Sequence, residues 1–147
     1  MTGVHWSTRG SHKHPALPHR GWLLLLLGLG MALVIGGCGF TCRGCVEHVT
    51  PGHVDYRYQF FNGPFNRTVN ASAGETLTVD YAATVEEGTL DMRVVNPDGD
   101  AVWQETFDTG ADVTSSTKVD IQQNGRYRLV VDGHDTRGSF QIDWQVN

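Results

Sequence analysis

Apolar and polar residues alternate with a period of two along five short segments in the C-terminal two thirds of the chain. The segments are "VDYRYQF" (54–60), "TLTVDYAA" (76–83), "TLDMRVV" (89–95), "RYRLVVD" (126–132) and "SFQIDWQV" (139–146). Alternation over so many segments is typical of antiparallel strands that bury one face and expose the other. We therefore predict five strands whose apolar residues point into a common core.

The apolar positions of these segments define the predicted core. They are Val54, Tyr56, Tyr58, Phe60, Leu77, Val79, Tyr81, Ala83, Leu90, Met92, Val94, Tyr127, Leu129, Val131, Phe140, Ile142, Trp144 and Val146. Weaker strands are expected at 65–70, 102–108 and 113–121. Connections with Gly or Pro, among them "NGP", "EEG" and "DGHDTRG", are predicted to separate the strands. About eight strands within 53–147, with no helical stripe, predict an all-β fold: an antiparallel two-sheet sandwich or jelly roll.

Three stretches of this region carry a family resemblance. "ASAGETLTVDYAA", "GTLDMRVVNPDGDAVW" and "NGRYRLVVDGHDTRGSFQIDW" resemble the small β-sandwiches of the bacterial pre-peptidase C-terminal and Golgi-dynamics (GOLD-like) type. Domains of that type are mostly accessory modules that bind proteins, carbohydrate or other ligands. The resemblance therefore implies a fold and a binding role, and it supplies no catalytic residue.

The N-terminal segment 1–37 has the composition of a secretory signal. Arg9, Lys13 and Arg20 are its only charged residues, and an uncharged apolar run of 16 residues follows from Trp22 to Gly37. A basic start, a short apolar stretch and small residues at its end mark a helical signal segment. The run is shorter than the roughly 20 residues of a typical membrane-spanning helix. A retained signal anchor is the alternative.

The end of the apolar run, "LVIGGC" (Leu33–Cys38), resembles the lipobox of bacterial lipoproteins. That motif places an aliphatic residue and two small residues before an obligatory cysteine, and Ile35, Gly36, Gly37 and Cys38 match it. The resemblance implies that the thiol of Cys38 is acylated with diacylglycerol and that cleavage makes Cys38 the new N-terminus. We therefore expect a lipid-anchored protein of the bacterial cell envelope that faces outside the cytoplasm, with the membrane as its first partner.

Two further cysteines follow in the segment 38–52, which is predicted to be a pliable tether. Cys42 and Cys45 lie outside the cytoplasm if Cys38 is lipidated, and thiols tend to oxidise there. We therefore predict a small local disulfide. A zinc site formed with His48 and His53, or a redox-active thiol pair, is the alternative.

A few polar and aromatic residues are candidates for other chemistry. His134 lies between Asp132 and Asp135, which could form an acid–base or metal cluster. Asp98 and Asp100 in "NPDGD" could bind calcium. A polar turn in water is the preferred interpretation of both. Trp103 and Trp144 are candidates for stacking on sugars, although the alternation places Trp144 in the core.

Charge and motifs limit the function. From Cys38 onward 8 Lys/Arg stand against 16 Asp/Glu, and 8 − 16 = −8. Nucleic acid is therefore not expected as a partner, because phosphate binding needs clustered basic residues. The chain has no nucleophile motif and no P-loop, so no catalytic residue, metal or cofactor is predicted. The expected function is non-enzymatic binding of an envelope protein or carbohydrate, and an accessory module of a hydrolase is the alternative.

Overall fold

A computed structural model describes residues 39–147, which form seven strands and no helix. The strands are β1 (Thr41–Arg43), β2 (Val46–Thr50), β3 (His53–Ala71), β4 (Thr76–Val95), β5 (Ala101–Asp108), β6 (Asp112–Asp120) and β7 (Gly125–Val146). The all-β prediction is confirmed. The predicted signal helix and Cys38 lie outside the described residues. Within 39–147 there is no helix that is long and apolar enough to cross a membrane.

All the strand pairs are antiparallel and belong to one hydrogen-bonded sheet that folds back on itself. Its order is β1-β3-β7-β4-β5, with β2 also paired to β3 and β6 also paired to β4. Each of the three long strands β3, β7 and β4 runs through both sides of the folded sheet, with one half of the strand on each side. We call the side that contains β2 and β6 the front layer and the side that contains β5 the back layer.

The central strands bend at one level, which we call the corner. There the pairing of β3 with β7 shifts between Tyr58 and Gly63, and the pairing of β4 with β7 shifts between Val85 and Thr89. Gly88 and Gly138 have positive φ angles, and a Cβ on either would collide with a backbone carbonyl of the neighbouring strand. Only glycine fits such close approaches of two backbones.

Three connections predicted from the sequence are wrong, because their residues lie at the corner inside long strands. "NGP", "EEG" and "DGHDTRG" do not end strands but are the irregular middles of β3, β4 and β7. Each pair of predicted strands on either side is therefore one long strand. Gly and Pro residues between alternating segments predict chain reversals, whereas in this fold they allow bulges that bend a strand without ending it. The eight predicted strand segments are all present.

The predicted tether 38–52 also differs from the structure. It contains β1 and β2, which pair with β3 from Asn62 back to His53. The segment is mostly exposed, which explains why its sequence does not alternate strongly. Backbone pairing to an existing strand, which no side-chain pattern reveals, holds it in the sheet.

The core lies between the two layers and matches the predicted inward positions with three exceptions. Phe60 is only partly buried, because the bulge at the corner turns the next residue, Phe61, into the core instead. Trp144 and Val146 are partly buried residues that pack against the core. Aromatic contacts join the layers; the rings of Phe65 in the back layer and Phe140 in the front layer are 5.5 Å apart.

Candidate functional site

The outer surface of the front layer has a polar groove that crosses its strands. One hollow of about 450 Å³ is lined by Asp55, Arg57 and Gln141 among others, and a second of about 560 Å³ reaches β6 at Thr114. Ala82 and Gln141 line both hollows. The two hollows therefore adjoin each other, and together we call them the front groove.

Sheet register explains how the groove is assembled. Asp55 of β3 is paired with Gln141 of β7, which is paired with Ala82 of β4, which is paired with Thr114 of β6. Residues that are directly paired project on the same face of a sheet. The polar positions of the alternating strands therefore converge in one row, and the small side chain of Ala82 lies low between longer neighbours.

A hydrogen-bonded cluster lies beside this row, at the junction of β3 and β7. His53 Nδ1 is 2.6 Å from Asp143 Oδ1, and Gln141 Nε2 donates to Asp143 Oδ2 at 2.8 Å. Burial acts to raise the pKa of Asp143, but the hydrogen bonds from Gln141 and His53 and the charge of His53 outweigh it and lower the pKa. Asp143 is therefore held as a carboxylate with both oxygens engaged.

The remaining groove residues offer hydrogen bonds of both kinds. Arg57 and Asp55 project from the same strand with a nitrogen–oxygen distance of 3.6 Å, and the Arg57 side chain is 74% exposed. Ser139 and Thr84 supply hydroxyl groups nearby. Guanidinium and amide groups donate, carboxylates accept, and hydroxyl groups do both. The groove thus presents both donors and acceptors to a ligand.

The predicted cysteine pair lies at the edge of the sandwich. Cys42 and Cys45 are placed as a disulfide with Cα atoms 6.1 Å apart, a separation within the usual range for such bridges. Both side chains pack against the core, and Cys42 Sγ is 3.3 Å from the hydroxyl oxygen of Tyr56. The bridge would join β1 to β2, where the sequence predicted a loose tether. The oxidation state itself stays a prediction.

The alternative zinc site is not brought together. His48 and His53 lie side by side on the outer face, with ring centroids 6.1 Å apart, whereas Cys42 and Cys45 face the core. Among residues 39–147 no group of three or more His, Cys, Asp or Glu side chains is arranged to hold a metal ion.

The other polar candidates have structural partners. Gln123 donates to Asp98, and the backbone N–H of Asp100 donates to the side chain of Asn96, as in a tight turn. His134 is 3.1 Å from Asp91 at the corner and is more than half exposed. These contacts explain the residues without a bound metal.

The two candidate tryptophans pack against protein. Trp103 lies on Tyr81, with ring centroids 5.2 Å apart, and Trp144 packs against the edge of the core. Neither is among the residues that line the front groove.

Two features of the groove and of the cluster beside it are not predicted from the sequence. The sequence indicates His53 only as a zinc ligand, because its pairing with Asp143 depends on a register between residues 90 positions apart. Ala82 looked like an ordinary strand residue. The sequence carries a weak indication of the groove, because a small residue such as Ala82 at an outward position of a central strand leaves a hollow.

Comparison with known proteins finds structural likeness only. No family model and no curated protein matches the chain. Among 33 solved chains that match, one is described as "CBM4 structure and function"; it has 13% identity and a TM-score of 0.46, over 72% of this chain and 79% of that one. The enzymatically active domain of tailspike protein 4 of bacteriophage CBA120 has 12% identity and a TM-score of 0.49, over 74% of this chain and 18% of that one. PliG, a periplasmic inhibitor of g-type lysozyme from Aeromonas hydrophila, has 17% identity and a TM-score of 0.43, over 69% of this chain and 89% of that one.

Proposed function

We propose that this chain is a non-catalytic binding module of the bacterial cell envelope whose front groove binds a neutral carbohydrate chain. The observation that supports the proposal is the pair of adjoining hollows across β3, β7, β4 and β6, which are lined by hydrogen-bond donors and acceptors. Sugar chains are extended and carry hydroxyl groups on every unit. A long groove with both donors and acceptors can bind several units in succession.

A carbohydrate suits this groove better than an apolar protein segment does. The outward side chains of its central row are Asp55, Gln141, Ala82 and Thr114, and three of these four carry hydrogen-bonding groups. A protein interface would be expected to place large apolar or aromatic anchors at its centre. The core of the front groove has instead a methyl group flanked by polar side chains.

The proposed location is the outer side of a membrane, with Cys38 acylated. The lipobox at Leu33–Cys38 supports this proposal, and so does the short distance along the chain to the folded part. Strand β1 begins at Thr41, so only Gly39 and Phe40, a span of about 10 Å of extended chain, separate the anchor from the sheet. An anchored sandwich would therefore lie close to the membrane surface.

The substitution Ala82→Gln tests the proposed groove. A glutamine side chain would fill the hollow that the two halves of the groove share, and we expect it to weaken carbohydrate binding at least ten-fold. The measurement is affinity electrophoresis and calorimetry with soluble β-1,4-glucan, β-1,3-glucan, xylan and chitin oligosaccharides. Thr78→Gln is the matched control, because Thr78 is on the same strand and face but lies outside both hollows.

The expected result is binding to at least one of these probes that Ala82→Gln weakens and Thr78→Gln leaves unchanged. Binding to none of them, or equal loss in both variants, would contradict the proposal. Circular dichroism and thermal melting of each variant establish that both are folded.

A further inference from the structure

The outer surface of the back layer carries three arginines on two neighbouring strands, although the domain as a whole is acidic. Three of the eight Lys and Arg residues after Cys38 project from this surface: Arg93 on β4, and Arg126 and Arg128 on β7. Arg93 is paired with Val130, and Arg128 is paired with Val95, so the side chains share a face. We call this surface the arginine face.

Two of these arginines have no acidic partner in the described part of the chain. Arg93 pairs with Asp132 at 3.3 Å, and Arg57, Arg67 and Arg137 also pair with carboxylates. Arg126 and Arg128 form no ion pair within 39–147. They project from the same face of one strand at positions i and i+2, so their Cα atoms are about 6.7 Å apart. Like charges on such neighbouring positions repel each other weakly in water, and an anionic ligand would relieve that repulsion.

The arginine face also has a shape that could hold a ligand. One hollow of about 410 Å³ is lined by Arg93, Gln104 and Arg128, and another of about 400 Å³ is lined by Arg126, Arg128 and Asn96. Arg128 lines both, so the hollows adjoin each other on β7. Val95 and Val130 line the first hollow and are each only 4% exposed. The arginines thus border a low apolar surface and have uncharged hydrogen-bonding groups beside them.

We propose that the arginine face binds a linear polyanion, by its phosphate or carboxylate groups, at a site separate from the front groove. A guanidinium group donates two parallel hydrogen bonds to either oxyanion. Arg126 and Arg128 bind successive anionic groups of the ligand, and Thr68 and Asn96 donate to the same chain from the neighbouring strand and turn. Of the acidic side chains near this surface, Asp132 is paired with Arg93, Asp91 is paired with His134 toward the corner, and Asp98 in the neighbouring turn accepts a hydrogen bond from Gln123.

The test measures binding of two polyanions to the full chain by calorimetry, in 50 mM and in 500 mM NaCl. The probes are inorganic polyphosphate, which carries phosphate, and polygalacturonate, which carries carboxylate; dextran is the neutral comparison. We expect binding to at least one polyanion and not to dextran, with weaker binding in high salt. Arg126→Gln and Arg128→Gln should each reduce the affinity about ten-fold, because each removes charged hydrogen bonds.

Lys118→Gln is the matched control, since it removes the same charge from an exposed position on the opposite, front layer. Its affinity for the polyanion should stay within two-fold of the wild type. Failure of both polyanions to bind, equal loss in Lys118→Gln, or no loss in Arg126→Gln and Arg128→Gln would overturn the proposal. Melting temperatures close to that of the wild type establish that the variants are folded. Ala82→Gln should bind the polyanion normally, which separates this site from the proposed carbohydrate groove.

Discussion

Ala82 shows how one residue decides the shape of a face. Along β4 the inward residues Tyr81 and Ala83 are buried, and Ala82 between them points outward where a polar residue is the common choice. With only a methyl group there, the outer face is hollow at the centre of the sheet. The polar side chains of Gln141 and Asp55 lie on one side of it. The groove therefore depends on the short side chain of Ala82 as much as on the polar side chains around it.

Asp143 leads to a prediction about pH. Its pKa is lowered from the ordinary value of 3.8, so its ionised form stabilises the fold. That contribution is present above pH 3.8 and is lost as the pH falls through the lower pKa of the folded state. Asp143→Asn should therefore reduce the free energy of unfolding at pH 7 by about 1 kcal/mol or less, since the pair is partly exposed. Urea denaturation at pH 7 and pH 3 should show that the difference narrows in acid. Asp120→Asn removes the same charge elsewhere, and a similar loss in it would contradict a specific role for Asp143.

Cys38 leads to a prediction about processing. The resemblance of Leu33–Cys38 to a lipobox predicts that Cys38→Ala leaves an unacylated precursor that retains residues 1–37. The wild type isolated from membranes should begin at Cys38 and carry the added mass of its acyl chains. Intact-mass spectrometry of both proteins checks this. An unmodified mature protein that begins at another residue would contradict the lipid anchor.

At the scale of elements, β1 and β2 cover part of the aromatic core. Cys42 is paired with Phe61, and Glu47 reaches across to Arg67 in the back layer, whose guanidinium group lies 4.4 Å from the ring centroid of Phe65. Removing residues 39–50 should uncover Tyr56 and Phe61. We expect the truncated chain 51–147 to fold but to lose about 3 kcal/mol of stability, close to the cost of exposing one or two large apolar side chains.

Chemical denaturation of 39–147 and 51–147 measures that loss. The double substitution Cys42→Ser with Cys45→Ser in the longer chain serves as the control, because it removes the bridge and keeps both strands. A loop this small restricts little of the unfolded chain, so the double variant should lose less than the truncated one. Equal stability of 39–147 and 51–147 would mean that 38–52 is a tether after all.

Much of the fold could be predicted from the alternating segments. The outward and inward positions of 76–83 and 89–95 were right because a buried face dictates a period of two. What failed was the reading of irregular glycines. Gly63, Gly88 and Gly138 look like turn residues in a sequence, and only the neighbouring strands reveal that the chain continues in the same direction. The same holds for His53 and Asp143, whose contact depends on a register that no local pattern encodes.

At the scale of the whole molecule, one folded sheet presents two different outer faces. The front groove is mixed in charge and lined by hydrogen-bonding groups, whereas the arginine face carries two arginines that have no acidic partner within residues 39–147. The two layers share β3, β7 and β4, so both faces are fixed to the same rigid strands. The two proposed sites therefore lie on opposite outer faces of one sandwich.

The central claim is that the front groove is where a carbohydrate chain binds. The most direct measurement is an NMR titration of isotopically labelled 39–147 with the polysaccharide that binds in affinity electrophoresis. The account predicts that the amide shifts change at Asp55, Ala82, Thr114 and Gln141 and stay constant at Arg126 and Arg128. Shift changes confined to the back layer, or spread evenly over both faces, would contradict it.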